Sequence, residues 1–454
     1  MVFVLSKRYG YSGRLLDILS SRDIDIGDRI QVRKKNIVVE GLLMPIETGL
    51  GSENTIILRL DNGYKIGVSI DEDTEIILVS KRFESSVAVE YSKRVYQNLP
   101  RISLISTGGT IVSKIDYETG AVKPALTFED IIEWIPEITG VAFIDAKEVM
   151  NIFSENIEPK HWEIISKNVY EEIVSGVEGV IVAHGTDMMT YTASALAFAI
   201  RNKPVPIVFV GSQRSSDRPS TDSILNFKAA VATALKAPFS ESTIVMHGET
   251  SDTYALAHRS VKCRKMHTSR RDAFQSINDY PLAIIYPDEF KVKVVNNVIY
   301  EYRSRDKDPV LENNFDDKVV LIKSYPGISP KIFDYFVDKG YHGIVIEGSG
   351  LGHIAEKTIS SIRRAVEEGV VVVMASQCIF GRVNLNVYST GRLLLEAGVI
   401  PASDILAEVA FVKLSWILGS KTRDLKSVAE LFNKNIVGEI NSRHVLNHYP
   451  RWFY

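Results

Sequence analysis

The sequence predicts an α/β protein of two lobes built on parallel or mixed sheets, preceded by a small SH3-like β-barrel. Three observations carry that prediction. Five short β-type runs fall between Ile24 and Val79, separated by turn-rich joints. From Arg101 onward apolar strands alternate with helical segments, the mark of a mostly parallel sheet covered on both faces. An irregular, charged stretch from 285 to 317 then separates this alternation from a second, smaller one. The predicted division is 1–95 for the barrel and its linker, 96–290 for the first lobe, 291–317 for a linker, and 318–454 for the second lobe and tail.

The totals agree with this division. A chain of 454 residues is long for one domain. Its 45% hydrophobic and 24% charged residues are an ordinary globular balance. A net charge of −3 argues against bulk electrostatic capture of nucleic acid, though it leaves room for a local basic patch. With only Cys263 and Cys378 there is neither a disulfide framework nor zinc-ligand spacing, which favours a reducing, intracellular setting. The start, Met-Val-Phe-Val-Leu followed by Ser-Lys-Arg, has the wrong order for a signal peptide. No apolar run approaches the roughly 20 residues of a membrane helix. The expected location is cytoplasmic, with no membrane partner.

In chain order, residues 13–20 suit one short helix. The β-type runs begin at Ile30, Ile37, Thr55, Tyr64 and Glu75, and Asp61-Asn62-Gly63 signals a hairpin because Asn-Gly supplies positive φ values. Five strands in so short a span suit a small closed barrel that binds or positions. Residues 81–99 read as a link. In the first lobe, Arg101–Ser106, Glu178–Ala183, Val205–Val210 and Thr243–Met246 read as buried strands, with helices at Pro159–Val174 and Tyr191–Arg201. In the second, strands start at Val319, Gly343 and Val370, and helices cover Lys331–Lys339, Ala355–Glu367 and Tyr388–Ala397. The aromatic tail, Tyr-Pro-Arg-Trp-Phe-Tyr, is expected to dock on its own protein or on a partner.

Chemistry concentrates where strands end. Thr107-Gly108-Gly109-Thr110 follows the first strand of the α/β region, and its glycines make a tight turn at the carboxyl edge of a sheet, where open α/β sheets bind ligands. A plain turn with a capping threonine would look the same. His184-Gly185-Thr186-Asp187 ends a second strand and sets another threonine beside a carboxylate. A threonine hydroxyl is a weak nucleophile that needs a neighbouring base. Asp187 also suits a helix N-cap ahead of Met188–Arg201. The third stretch, Lys262 to Arg271, carries five cations in ten residues, which reads as a solvated face, an anion-binding loop, or a lysine buried beside the threonines to serve as a base.

Those three motifs, in this order and at this spacing, resemble the L-asparaginase/glutaminase family from about Arg101 to Gly438. The resemblance implies a two-lobed asparaginase-like fold and hydrolysis of a side-chain amide by a threonine nucleophile, without metal or organic cofactor in this chain. It implies Thr110 as nucleophile, and Thr186, Asp187 and Lys265 as a second triad with Lys265 the proton acceptor. Ser154 falls where the family holds the substrate α-carboxylate, and Asp187 would also bind the α-amino group. Glu155 and Ser212 join the substrate-binding set, with backbone groups near Thr186 and Ser212 facing the amide. Tyr117 is the choice for the mobile-loop tyrosine, with Ala121 competing for the alignment. Three departures stand out: Met188 where the family usually has threonine, Glu155 where bacterial enzymes often have glutamine, and no match for the carboxylate supplied there by the neighbouring subunit.

The added barrel and the segment Arg264-Lys-Met-His-Thr-Ser-Arg-Arg-Asp-Ala-Phe resemble, more narrowly, the D-subunit family of archaeal-type glutamyl-tRNA(Gln) amidotransferases. Membership would imply that the chain releases ammonia from glutamine or asparagine for an E subunit. That partner would activate Glu-tRNA(Gln) with ATP and Mg²⁺, make most of the tRNA contact, and complete Gln-tRNA(Gln), so the complex would be a carbon–nitrogen ligase. A homodimer core within a heterotetramer would follow. Two rivals are a free-standing cytoplasmic L-asparaginase and a binding protein that kept the fold without catalysis.

Overall fold

The computed structural model describes residues 11–35, 37–46, 54–60, 65–81, 99–108, 113–115, 122–124, 135–138, 140–214 and 220–449. The chain divides into two compact units, one of residues 1–99, 112–140 and 214–223, the other of 100–111, 141–213 and 224–454.

The first unit starts with helix α1 (Gly13–Ser21), then β1 (Arg29–Lys34), β2 (Ile37–Leu43), β3 (Thr55–Arg59), β4 (Lys65–Ser69) and β5 (Glu75–Ser80). These strands form one antiparallel sheet in the order β4-β3-β2-β1-β5. Alternation does the work: in β1 and β3 every second residue is buried, and Val32, Ile56, Leu58 and Ile76 join Leu15 and Leu19 of α1 in a core of their own. This is a small barrel-like module. The Asp61-Asn62-Gly63 turn and the link from 82 to 98 lie outside the described residues.

The next strands are β6 (Arg101–Ser106), then β7 (Ser113–Ile115) and β8 (Val122–Pro124), which pair as a ribbon of the first unit, and β9 (Phe143–Glu148). Helix α2 (Pro159–Val174), β10 (Gly179–Ala183), α3 (Met189–Ala199), β11 (Ile200–Arg201), β12 (Ile207–Val210), α4 (Ser223–Lys236), β13 (Ser242–His247) and β14 (Ala255–Arg259) follow. Then come β15 (Cys263–Lys265), β16 (Phe274–Ser276), β17 (Ala283–Tyr286), β18 (Lys291–Val294) and β19 (Val310–Leu311). The principal sheet has eight strands in the order β18-β17-β14-β13-β12-β10-β6-β9. Strands β9, β6, β10, β12 and β13 are parallel, while β14, β17 and β18 extend the sheet antiparallel. The sheet is therefore mixed. Part of the 291–317 stretch, read from sequence as a linker, is ordered: β18 is the sheet edge, and β19 pairs with β11. Its lysines at 291 and 293 hid a strand that needs only one neighbour.

The second lobe carries β20 (Val319–Lys323), α5 (Lys331–Asp338), β21 (Gly343–Gly348), α6 (Ile359–Glu367), β22 (Val371–Ser376), α7 (Ser389–Glu396), β23 (Ile400–Pro401), α8 (Ala407–Ser420) and α9 (Leu425–Phe432). Its four strands are parallel in chain order. Helix α8 is apolar nearly all round and buries 11 residues, as a helix must when protein covers every side. One continuous core runs through both lobes: Phe198 of α3 stacks on Trp416 of α8 with ring centroids 5.6 Å apart. From the tail, His448 meets Tyr280 edge-on at 4.5 Å and Tyr449 meets Phe380 at 5.5 Å, while residues 450–454 lie outside the described residues. Among the described residues no helix is long and apolar enough to cross a membrane.

Candidate active site

Four loops leave the carboxyl ends of neighbouring parallel strands, and three glycines let them close on one another. After β6, the Thr107 amide and hydroxyl both donate to the Ala183 carbonyl, at 3.1 and 3.0 Å. Thr107 thus ties β6 to β10 and is a structural residue. Gly108 has φ +118°, and a Cβ there would sit 2.3 Å from the Ile152 carbonyl oxygen on the loop after β9. A Cβ on Gly185 would lie 2.9 Å from the Ser154 Cβ, and one on Gly211 would lie 2.7 Å from the Thr186 Cγ2. No side chain fits at those distances, so glycine permits the assembly.

Thr186 and Asp187 meet Lys265 in this cluster. The Lys265 ammonium donates to Thr186 Oγ1 at 2.9 Å and to Asp187 Oδ1 at 2.7 Å. The lysine side chain is 13% exposed, the aspartate 66%. Asp187 therefore does not cap α3; Met188 occupies the N-cap and makes no side-chain bond there. Lys265 arrives from 78 residues further along the chain, on the two-stranded ribbon β15–β16, where it pairs with Phe274. At 2.9 Å a deprotonated amine would accept the threonine proton along the same line, within the reach of a general base.

His184 fixes the loop beneath them. Burial pushes its imidazole down to about 4. The Gly185 carbonyl at 2.6 Å can only accept, so Nδ1 carries the proton, and Nε2 accepts from the Thr192 hydroxyl at 2.9 Å. Ser154 is 3% exposed, on a short 3₁₀ turn that precedes α2. Glu155 beside it is exposed and lines a cavity of about 410 Å³ with Glu158, Trp162, Met188, Tyr191 and Phe411. The Ser212 hydroxyl oxygen, on the loop after β12, is buried without a hydrogen-bond partner among the described residues. A buried oxygen of that kind is costly unless something else meets it.

The structure thus brings Ser154, Thr186, Asp187 and Lys265 to one edge and sets Ser212 beside them. Thr110 and Tyr117 lie outside the described residues. Sequence reasoning passed over Asn226. Its Nδ2 donates to the Gly211 carbonyl at 3.0 Å, and its Oδ1 lies 2.6 Å from His247 Nδ1. Its distinguishing feature, full burial of the amide on helix α4, belongs to the fold and left no signal in the sequence. Among the described residues no group of three or more His, Cys, Asp or Glu side chains could hold a metal ion.

The family model "Asparaginase, N-terminal" matches residues 101–299, and "Glutaminase/Asparaginase C-terminal domain" matches 318–432. A third, "GatD N-terminal domain", matches 24–79. The D subunit of the glutamyl-tRNA(Gln) amidotransferase of Sulfurisphaera tokodaii is 48% identical over 98% of each chain. Its counterpart from Metallosphaera sedula is 50% identical over 98% of this chain and 99% of its own. The solved thermostable L-asparaginase of Thermococcus kodakarensis is 32% identical with a TM-score of 0.66, covering 76% of this chain and all of its own.

Proposed function

This chain belongs to the glutaminase/asparaginase family, and we propose that it is the amide-hydrolysing, ammonia-supplying D subunit of a glutamyl-tRNA(Gln) amidotransferase. The observation that carries the proposal is likeness to D-subunit proteins over 98% of the chain, N-terminal module included. In the reaction, the Thr110 hydroxyl attacks the side-chain amide carbon of glutamine or asparagine. The C–N bond breaks, ammonia leaves with the proton delivered to it, and water then releases the acid from the acyl-enzyme. Lys265, held on Thr186 and Asp187, is the proton acceptor. Ser154 takes the substrate α-carboxylate, Asp187 its α-amino group, and Glu155 lies beside this pocket. Ser212 and the backbone near Thr186 face the amide, and donors of this kind elsewhere are each worth about 3–4 kcal/mol to the transition state. Tyr117 is the loop tyrosine that serves next to the nucleophile.

The released ammonia passes to an E subunit, which activates Glu-tRNA(Gln) with ATP and Mg²⁺ and makes most of the tRNA contact. The core is a homodimer of this chain within a cytoplasmic heterotetramer. The module of residues 1–95 docks the partner, 96–290 and 318–454 form the asparaginase-like lobes, and 291–317 joins them.

A free-standing L-asparaginase is the second reading, favoured by a solved asparaginase whose whole length matches the chain. Ammonia release from glutamine and asparagine separates the two. Release should be slow for the chain alone and rise strongly with the partner and Glu-tRNA(Gln). Full activity alone, indifferent to both additions, would establish the free-standing enzyme instead.

A further inference from the structure

Lys265 sits on the last residue of a three-residue strand, paired only with β16. Cys263 and Phe274 anchor this ribbon in the main core, but Arg264 and Lys265 are only partly buried and the residues just past Lys265 are exposed. Apolar packing sets the depth of the ribbon but does not by itself fix the aim of a long side chain, which proton transfer needs held to within a few tenths of an ångström. The second lobe supplies what the ribbon lacks. Lys262, just before β15, is fully buried, and its ammonium donates to Asp404 Oδ2 at 2.8 Å and to the Asp404 carbonyl at 3.2 Å. Arg264 donates to Glu408 Oε2 at 3.2 Å. After β16, Asn278 exchanges two hydrogen bonds with the backbone of Gly381, at 3.1 and 3.0 Å. Its carbonyl also accepts from the Asn441 side chain at 2.6 Å. Alternation along β15 sends Arg264 toward the second lobe and Lys265 toward Thr186 and Asp187.

The receiving frame is itself rigid. Asp404 lies in the turn just before α8 and Glu408 in the first turn of that helix, and Asp404 Oδ1 accepts from the Asn441 backbone amide at 3.0 Å. Lys413 of α8 pairs with Glu439 at 2.6 Å, both fully buried. The Lys413 ammonium also donates to the carbonyls of Phe432 and Lys434.

We propose that Asp404 and Glu408 are positioning residues for Lys265: from the second lobe they hold, through Lys262 and Arg264, the strand that presents it to Thr186. Neither touches the reacting atoms. The inference rests on Lys265 as proton acceptor, so Lys265→Met is the reference variant and must lose ammonia release for the test to proceed. Wild-type release by Lys265→Met would overturn the assignment of the base, and with it this inference.

Glu408→Gln and Arg264→Met are then assayed as full chains under whichever condition activates the wild type. Glu408→Gln keeps the side-chain shape, and Arg264, at 36% exposure, can be replaced without opening the core. Both should lower kcat, by as much as about 100-fold, at a KM within about twofold of wild type and with little change in melting temperature. Glu408→Asp should recover part of the loss. If Lys265→Met is inactive while Glu408→Gln and Arg264→Met keep wild-type kcat, the inference fails. A change in KM alone, or a loss of kcat only in step with unfolding, overturns it equally.

Discussion

At the scale of single residues, burial separates groups that work from groups that only hold. Lys265 keeps an edge toward solvent and shares its ammonium between a hydroxyl and a carboxylate. His184 and His258 are buried, which pushes their imidazoles from 6.5 down to about 4 and about 3. Both are neutral in the folded protein and take up a proton on unfolding once the pH is below 6.5. The unfolded state therefore binds more protons, and stability falls as pH drops from 6.5 toward 4. Each histidine should add a slope approaching about 1.4 kcal/mol per pH unit. Urea unfolding between pH 7 and 5 should show this. The window lies above the range where the lowered carboxyls of Asp71, Asp272 and Asp424 contribute. His184→Asn should remove about one proton from the dependence. An unchanged slope in that variant would mean that His184 does not stay neutral.

At the scale of elements, the buried polar pairs sit where helices would otherwise have only apolar contacts. Lys413 in α8 has three acceptors, and its partner Glu439 also receives the amides of Ile436 and Val437. Lys413→Met should cost about 3–5 kcal/mol in urea unfolding, because it strands a buried carboxylate. A loss below about 1 kcal/mol would show that Glu439 is satisfied by its amides alone. This same helix was not legible in the sequence. Ala407–Ser420 has no polar face to set its period, because α3 covers it on one side and the second sheet on the other. Strand β9 was passed over for the opposite reason: at the end of the sheet it buries only Ile144 and carries charges elsewhere. The apolar runs of β10, β12 and β13 were legible because neighbours pair them on both sides. Thr186, Asp187 and Lys265 were legible through their motifs. Asp404 and Glu408 were not, since the partners of Lys262 and Arg264 lie 142 and 144 residues away.

At the scale of the whole molecule, the N-terminal module is the piece whose presence needs a reason beyond amide hydrolysis. Among the described residues its core draws on positions between Tyr11 and Leu78, none of which joins the cores described for the two lobes. A solved asparaginase matches 76% of the chain with its entire length, so a lobe pair of that extent folds without such a module. A chain beginning at Pro100 should therefore fold and retain whatever ammonia release the full chain shows alone. If residues 1–95 dock the partner, the same truncation should lose the rise produced by the partner and Glu-tRNA(Gln), and the two proteins should no longer co-elute. Dismissing the docking role would take a truncated chain that folds, binds the partner and is stimulated like the full one. A truncated chain that folds but has lost even its unstimulated release would instead assign the module to the catalytic unit.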